Sequence, residues 1–417
     1  MVRRAAEGHR SRPDGGPGRF RGRPARVWAA VLGVLVLASC GAPAKAAPAL
    51  TALRSARAPE ISVAGSTDAV PYSAPVQLKV AHGTFAAVTV SSDRGDDLNG
   101  AVSADGLDWV SREAPRPDRT YQGVAKVKDV KGADRTVNVT FKVSAVPNNS
   151  RLSFTVTPQS GSTVGVGQPV VVRFASTVTE RAAIEKVMQV RASTPDGTAV
   201  TGSWHWLNGR ELHWRPKEFW TPGTTVSLTM RIAGVKAAKG VYGRKDYDQT
   251  FTIGSSQITK VDGVTHQVQV YRDGELVHTW PGGTGKPGLE TYSGTYVVLG
   301  KTKEIVMDSC SAKITCDEED PDYYSETEYW ATRVTASGTF LHAASWDPLL
   351  GKANVSHGCI HLSDTDAEKF YNDAVIGDVV IVANTGRGPE ERIATQDPGL
   401  YDWNLSWEKW TAGSALS

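Results

Sequence analysis

The chain has 417 residues and a formal net charge of +2, with 40% hydrophobic and 22% charged residues. This length exceeds one ordinary domain and predicts two or three, in a composition typical of soluble globular proteins. Most of the basic excess lies in residues 1–26, and the remainder has no basic stripe with interleaved aromatic side chains, which argues against nucleic acid as a partner.

The N-terminus predicts export. An arginine-rich segment precedes an apolar stretch over 27–37, which is too short for a permanent transmembrane helix. The run from Leu37 to Cys40 resembles a bacterial lipobox, so residues 1–40 are interpreted as a signal peptide and Cys40 as the lipidated residue of a membrane-anchored lipoprotein. The alternative is a plain signal peptide with an incidental cysteine.

Two β-rich units follow a linker over 41–57. Between 58 and 147, short alternating stretches separated by turn residues predict an immunoglobulin-like β-sandwich, and residues 148–255 predict a second one. The two units are interpreted as spacers.

The second unit has three local features. A short helix is predicted from Thr179 to Val187, with Thr179 as its N-cap. An Asn-Gly pair at 208–209 predicts a hairpin turn. His205 and His213 alternate with tryptophans on the two hairpin strands, so we expect them to face outward rather than to bind a metal ion.

A third β-rich unit spans residues 256–385. Its strands are predicted over 258–261, 267–271, 275–280, 295–299, 340–343 and 379–382. A helix is predicted from Ser363 to Asn372, with Ser363 as its N-cap. The glycines at 282–285 lack the Lys-Ser/Thr of a phosphate-binding loop. The segment 309–329 is long, acidic and irregular, which predicts a functional lid.

Residues 386–417 form a predicted C-terminal tail. Trp403, Trp407 and Trp410 lie at helical spacing, which is compatible with a sugar-binding stripe. We favour the interpretation that these side chains dock the tail on the third unit.

The chain has four cysteines, of which Cys40 is assigned to the anchor. Cys310 and Cys316 lie close together, and in an oxidising compartment we favour a disulfide between them. Cys359 then stands alone, either as a buried and inert thiol or as one kept reduced for chemistry.

The surroundings of Cys359 favour nucleophilic chemistry. Attack on an amide needs a thiolate, an imidazole that exchanges its proton and a group that orients the imidazole. His342 ends an apolar run that predicts a strand, whereas His357 and His361 flank Cys359 at two-residue spacing and therefore share one face of an extended chain. Gly358 permits close approach of the backbone beside the nucleophile.

These residues carry a family resemblance. Residues 256–410 resemble an L,D-transpeptidase catalytic domain of the YkuD type, on His342, a spacer with Trp346 and Gly351, and the run Ser-His-Gly-Cys at 356–359. The actinobacterial members carry immunoglobulin-like domains before the catalytic one. The resemblance implies a mainly β protein with two immunoglobulin-like β-sandwich domains, a β-rich YkuD-type catalytic domain with a short helix, and a C-terminal docking tail.

The resemblance also implies catalytic roles. Cys359 corresponds to the nucleophile and His342 to its general base and acid. The main-chain carbonyl of Ala343 corresponds to the group that orients His342. His357 lines the site, and the amides of Gly358 and Cys359 are expected oxyanion donors.

Further positions correspond to the lid and the substrate pocket. Met307, Tyr324 and Trp346 match such positions, and the hydroxyl of Tyr324 is an expected additional oxyanion donor. Ser356 and His361 are expected to contact substrate. His361 departs from the family pattern, since many relatives have Arg or Asn two residues after the cysteine.

The implied reaction builds peptidoglycan and thereby serves cell-wall organisation and cell shape. The enzyme cleaves the bond before the terminal D-Ala of a tetrapeptide stem and transfers the acyl group to a side-chain amine of a neighbouring stem, which forms a 3→3 cross-link. The partners implied are stem peptides and the β-lactams called carbapenems, and no cofactor is required.

Three alternatives remain open at this stage. The first is an L,D-carboxypeptidase that gives the acyl group to water. The second is a non-catalytic wall-binding protein. The third is a zinc site made by the histidines and Cys359, although ligands at this spacing on one strand do not resemble a usual zinc loop.

Overall fold

The computed structural model describes residues 57–417. The predicted signal peptide, its lipidation site at Cys40 and linker residues 41–56 lie outside the described residues. Within 57–417, no helix combines the length and the apolar character needed to cross a membrane.

The first β unit is a sandwich of two sheets. Its strands are β1 Glu60–Val63, β2 Gln77–Ala81, β3 Gly83–Ser92, β4 Gly100–Val102, β5 Asp108–Ser111, β6 Thr120–Asp129 and β7 Asp134–Lys142. One sheet has the order β1-β2-β5-β4 and the other β3-β6-β7. Buried and exposed residues alternate along β6, because one face of the strand packs on a core that contains Trp109, Tyr121 and Phe141.

The second β unit is a sandwich with one short helix. Its elements are β8 Phe154–Thr157, β9 Thr163–Val164, β10 Val170–Phe174, α1 Arg181–Glu185, β11 Met188–Ser193, β12 Gly202–Trp206, β13 Glu211–Pro216, β14 Thr225–Met230, β15 Lys236–Ala238, β16 Val241–Tyr242 and β17 Tyr247–Ile253. A 3-10 helix at Asn148–Ser150 precedes it. Its sheets have the orders β12-β13-β10-β8 and β11-β14-β17-β9, with β15 and β16 as a separate pair. The predicted hairpin turn at 208–209 is confirmed, since β12 and β13 pair antiparallel on either side of it.

The helix in this unit is shorter than the sequence predicts. It covers Arg181–Glu185, with Glu180 at the N-cap position and no side-chain capping bond. The prediction of Thr179 as N-cap is wrong, because the amides of Thr179 and Glu180 both donate to the carbonyl of Ala237. This tie to β15 holds both residues before the helix begins.

The third unit consists of two sheets and a helix. Its elements are β18 Gln257–Asp262, β19 Gln267–Arg272, β20 Glu275–Pro281, β21 Gly294–Val297, β22 Gly300–Asp308, β23 Ser325–Arg333, β24 Phe340–Ala343, β25 Ile360–Leu362, α2 Asp364–Asp373 and β26 Val379–Ala383. The sheets have the orders β20-β19-β18-β26-β21 and β22-β23-β24-β25. Ser363 accepts the amide of Asp366, which confirms the predicted N-cap of the helix.

A long hairpin in this unit was not predicted. β22 pairs antiparallel with β23, so the irregular part of the predicted lid is confined to residues 309–324 at the hairpin tip. Most residues of β22 are exposed. Because alternation arises only where one face of a strand is buried, this strand leaves little pattern to recognise.

The tail folds into three short helices, α3 Glu390–Ala394, α4 Tyr401–Asn404 and α5 Trp407–Thr411. Trp403 therefore lies on a different helix from Trp407 and Trp410, and the three do not form one stripe. The indole of Trp410 is buried and donates to the carbonyl of Ser203 at 2.9 Å. The three tryptophans do dock the tail, but the prediction that they dock it on the third unit is wrong. Trp403 donates to the carbonyl of Gly167, and the guanidinium of Arg215 lies over the rings of Trp407 and Trp410, all contacts with the second β unit.

His205 and His213 face outward from the core of the second unit as expected, but the outer face on which they lie is not solvated. Both side chains are buried under the tail. His205 contacts the main-chain oxygen of Trp410 and the hydroxyl of Tyr401, whereas His213 Nδ1 lies 2.8 Å from Asp402 Oδ1. An outer face of a sandwich sheet that is covered by a distant segment cannot be distinguished from a solvated face by alternation alone.

Candidate active site

Two parallel strands bring the candidate nucleophile and base together. β24 pairs with β25 in a register that sets His342 opposite His361, and Cys359 directly precedes β25. Adjacent strands lie about 4.8 Å apart, so Cys359 and His342 are diagonal neighbours. The thiol of Cys359 donates to the carbonyl of Gly338 at 3.8 Å, and it is close enough to His342 to favour the charged form of the imidazole. Strand pairing thus brings together two residues that are 17 positions apart in the sequence, as the sequence analysis predicts.

Cys359 has a free and half-buried thiol. It lines two cavities, one of about 350 Å³ that also includes Met307, Trp346 and His361, and one on the opposite side that includes Tyr292 and Arg387. The alternative of an inert thiol sealed in the core is therefore wrong.

The imidazole of His342 is oriented by two oxygen atoms that lie close to its Nδ1. His342 is 3% exposed, and its Nδ1 lies 2.9 Å from the main-chain oxygen of Ala343. The same nitrogen lies 3.2 Å from Oε2 of Glu328, a residue that the sequence analysis missed. Burial lowers the pKa of His342, but the hydrogen bonds with Cys359 and Glu328 outweigh it and raise the pKa to about 10. The surroundings thus favour the imidazolium form.

The turn before Cys359 is braced by Ser356. Its hydroxyl donates to the carbonyl of Cys359 at 2.7 Å and accepts from the amide of Gly358 at 3.1 Å. The Gly358 amide, an expected oxyanion donor, is engaged by Ser356 in this state. Ser356 itself is buried and shapes the turn, and it also lines the cavity that contains Met307.

Gly358 is required for its backbone conformation. Its φ of 119° is one that L side chains rarely adopt, whereas a Cβ there would meet Leu289 only at 3.7 Å. This conformation gives a second reason for glycine, beside the predicted close approach of the backbone.

His361 supports the wall of the site. It is buried, and its Nδ1 lies 3.0 Å from Oδ2 of Asp347, which is also buried. Burial, followed by the charge of His342, lowers the pKa of His361 to about 4. A neutral His361 therefore donates to Asp347 while Trp346, which is exposed at the cavity mouth, packs edge-on against its ring.

The hairpin tip covers the site. Cys310 and Cys316 form a disulfide within it. The ring of Tyr324 lies 4.8 Å from that of His357, and burial together with the charge of Cys359 raises the pKa of the Tyr324 hydroxyl. Met307, on β22, lines the cavity below.

A polar bridge ties the tip to the turn that carries Cys359. Lys286 Nζ lies 2.5 Å from Asp322 Oδ1 and 3.1 Å from His357 Nε2. Burial and the charge of Lys286 lower the pKa of His357. His357 therefore accepts from Lys286 as a neutral ring and connects the hairpin tip to the nucleophile loop.

The zinc alternative finds no support in this geometry. Among residues 57–417, no group of three or more His, Cys, Asp or Glu side chains is arranged to hold a metal ion. Instead, each of the three imidazoles of the site has a protein partner of its own.

Comparisons with known proteins find related chains and domains. A family model described as an L,D-transpeptidase catalytic domain matches residues 256–382, and one described as a bacterial Ig domain matches residues 67–236. The chain is 36% identical to L,D-transpeptidase 2 of Mycobacterium tuberculosis, with 85% of this chain and 84% of that protein covered. It is 31% identical to L,D-transpeptidase 5 of the same species, with 84% and 75% covered. A crystal structure of L,D-transpeptidase 3 from that species with a faropenem-derived adduct is 33% identical, covers 57% of this chain and 100% of its own, and has a TM-score of 0.47.

Proposed function

This chain belongs to the L,D-transpeptidase family, and on that premise we propose that it forms 3→3 peptidoglycan cross-links through an acyl-enzyme on Cys359. The family consists of enzymes that cross-link peptidoglycan by cysteine chemistry. The observation that carries the proposal is the free thiol of Cys359 on the wall of two cavities, placed by strand pairing beside an imidazole that Ala343 orients.

The first half-reaction builds the acyl-enzyme. Cys359 transfers its proton to His342, and the thiolate attacks the carbonyl before the terminal D-Ala of the donor stem. The C–N bond then breaks, and the leaving amine takes the proton from His342. Free D-Ala departs.

The developing oxyanion needs donors on the side of the thiol. We assign this role to the amide of Cys359 and the hydroxyl of Tyr324. The raised pKa of Tyr324 supports the assignment, because a hydroxyl that stays protonated remains a donor. The amide of Gly358 joins them only after releasing Ser356.

The second half-reaction transfers the acyl group. A side-chain amine of the acceptor stem attacks the thioester, His342 accepts its proton, and the thiolate of Cys359 leaves. The lid segment 309–324 covers the site and supports transfer to an amine over hydrolysis, because it limits the access of water.

The same thiolate suits the strained carbonyl of a carbapenem. Ring opening by Cys359 gives a stable acyl-enzyme whose mass equals the sum of protein and drug. This chemistry supplies an assay that needs no peptidoglycan.

The location of the enzyme follows from its N-terminus. The run from Leu37 to Cys40 supports cleavage by the lipoprotein route, with the mature protein lipid-anchored at Cys40 and facing the cell wall. Intact mass of protein recovered from membranes tests this. A Cys40 without acyl chains would contradict the anchor but not the enzyme.

The decisive experiment uses intact mass. Wild-type protein incubated with a carbapenem is expected to gain the mass of one drug molecule. Cys359→Ala is expected to gain none, and His342→Ala is expected to react much more slowly. With a disaccharide-tetrapeptide as substrate, wild type is expected to release D-Ala and yield a dimer. An adduct on Cys359→Ala would refute the nucleophile, and a tripeptide without dimer would indicate a carboxypeptidase.

A further inference from the structure

We propose that Glu328 is a positioning residue for His342, in addition to the main-chain carbonyl of Ala343. Its carboxylate accepts a hydrogen bond from the N–H of His342 Nδ1. The negative charge then stabilises the imidazolium that forms when Cys359 transfers its proton to His342. This inference deepens the proposed function, because it rests on Cys359 and His342 acting as nucleophile and base.

Glu328 reaches the back of the imidazole from the neighbouring strand. It lies on β23, which pairs with the strand of His342. Oε2 of Glu328 lies 3.2 Å from Nδ1, and the oxygen of Ala343 lies 2.9 Å from the same atom, so one N–H serves two acceptors. A carbonyl orients the ring in either protonation state, whereas a carboxylate adds a full negative charge that favours the protonated ring.

The burial of Glu328 points the same way. It is 5% exposed, and a buried carboxylate is costly unless it is paired. Within the part of the chain that the structure describes, its one ion-pair partner is His342. The carboxylate is therefore compensated best when His342 is charged, and each group stabilises the charge of the other.

The remaining groups around His342 do not compete for this role. The titratable side chains that line the same cavity are Cys359, Glu326, Glu328, Asp347, His357, His361, Tyr323 and Tyr324. The rings of His342 and His361 lie 5.0 Å apart, but His361 is neutral at physiological pH and donates to Asp347. Glu328 is thus the carboxylate in direct contact with the charged ring.

The pH dependence of two reactions separates this role from simple packing. Acylation by a carbapenem needs the proton of His342, so its rate falls at alkaline pH where the imidazolium is lost. Alkylation of Cys359 by iodoacetamide needs only the thiolate and no proton from His342, so it reports thiolate formation separately from proton donation.

Glu328→Gln keeps the shape and removes the charge. We expect the alkaline fall of acylation to move to lower pH by about one to three units, the rate near neutral pH to drop about ten-fold, and the alkylation profile to move to higher pH. Glu304→Gln, at an exposed position of the same hairpin, is the matched control and is expected to leave both profiles in place.

Three outcomes would overturn the proposal. If the acylation rate falls equally at every pH and neither pH profile shifts, Glu328 has only a structural role. A raised KM for the acceptor amine with unmoved profiles would make it a substrate contact. If Glu328→Gln does not fold, Glu328→Asp keeps the charge at a greater distance, and unmoved profiles in that variant would be equally contradictory. If Cys359 of the wild type is alkylated but the enzyme yields no dimer, the proposed function is refuted. The pH profiles of wild type and Glu328→Gln can still be compared in that case.

Discussion

Replacing Trp410 by alanine tests how firmly the tail is bound. Trp410 is 0% exposed, stacks on His205 with ring centroids 4.7 Å apart, and lies under the guanidinium of Arg215. A buried tryptophan removes about 200 Å² from water, worth about 5 kcal/mol at 25 cal/mol per Å². Measured Trp→Ala changes in cores cost about 3–5 kcal/mol. The unpaired carbonyl of Ser203 adds about 1 kcal/mol. We expect a loss of about 4–5 kcal/mol.

The assay is urea unfolding of the wild type and of two tryptophan variants. Trp346→Ala is the matched control, because Trp346 is 59% exposed at the cavity mouth and should cost under about 1 kcal/mol. Carbapenem acylation should show the reverse order of effects. Trp410→Ala should leave its rate nearly unchanged, whereas Trp346→Ala should slow it. A loss below about 1 kcal/mol for Trp410→Ala, or equal losses for both, would refute the reasoning that the tail is part of the folded core.

Two further predictions concern the hairpin tip. Lys286→Met removes a positive charge that lowers the pKa of His357, so an NMR titration of His357 should give a higher pKa, whereas Lys239→Met should give the wild-type curve. An unmoved titration would mean that the ammonium does not contact the ring. Replacing Cys310 and Cys316 by serine should lower turnover several-fold while costing at most about 2 kcal/mol of stability, since the closed loop is short. Unchanged turnover would contradict the lid.

The nucleophile and its base could be predicted because their signals are local. His342 and Cys359 each lie beside a short apolar run that forms a buried strand, and parallel pairing of those strands brings them together. The orienting group is equally local, since Ala343 offers its carbonyl from the next residue. The cap of α2 at Ser363 and the hairpin turn at 208–209 follow from sequence patterns of a few residues.

The contacts that escaped prediction join segments whose pairing leaves little local pattern. Glu328 could not be assigned from the sequence. The residues of β23 that face the site are determined by pairing with β22, an exposed strand with little alternation of buried and exposed residues. His205 and His213 follow the outward phase of their strands, yet a tail almost 200 residues further along covers them. Tertiary contacts of this kind decide burial without changing the local sequence.

The site contains two adjacent imidazoles whose surroundings favour opposite charge states. His342 has a buried carboxylate and a thiol as neighbours, which raise its pKa to about 10, whereas His361 is buried beside that charge and its pKa falls to about 4. Two imidazolium ions 5.0 Å apart would repel each other in a poorly solvated site, so only one ring is charged at a time. Asp347 works against this division, because its hydrogen bond and charge raise the pKa of His361, but burial and the charge of His342 outweigh it. Asp347 accepts a hydrogen bond from Nδ1 of the neutral ring and so fixes its orientation. A histidine two residues after the cysteine is therefore compatible with the same chemistry, since a neutral imidazole here acts as a hydrogen-bonding wall while the proton is exchanged only at His342.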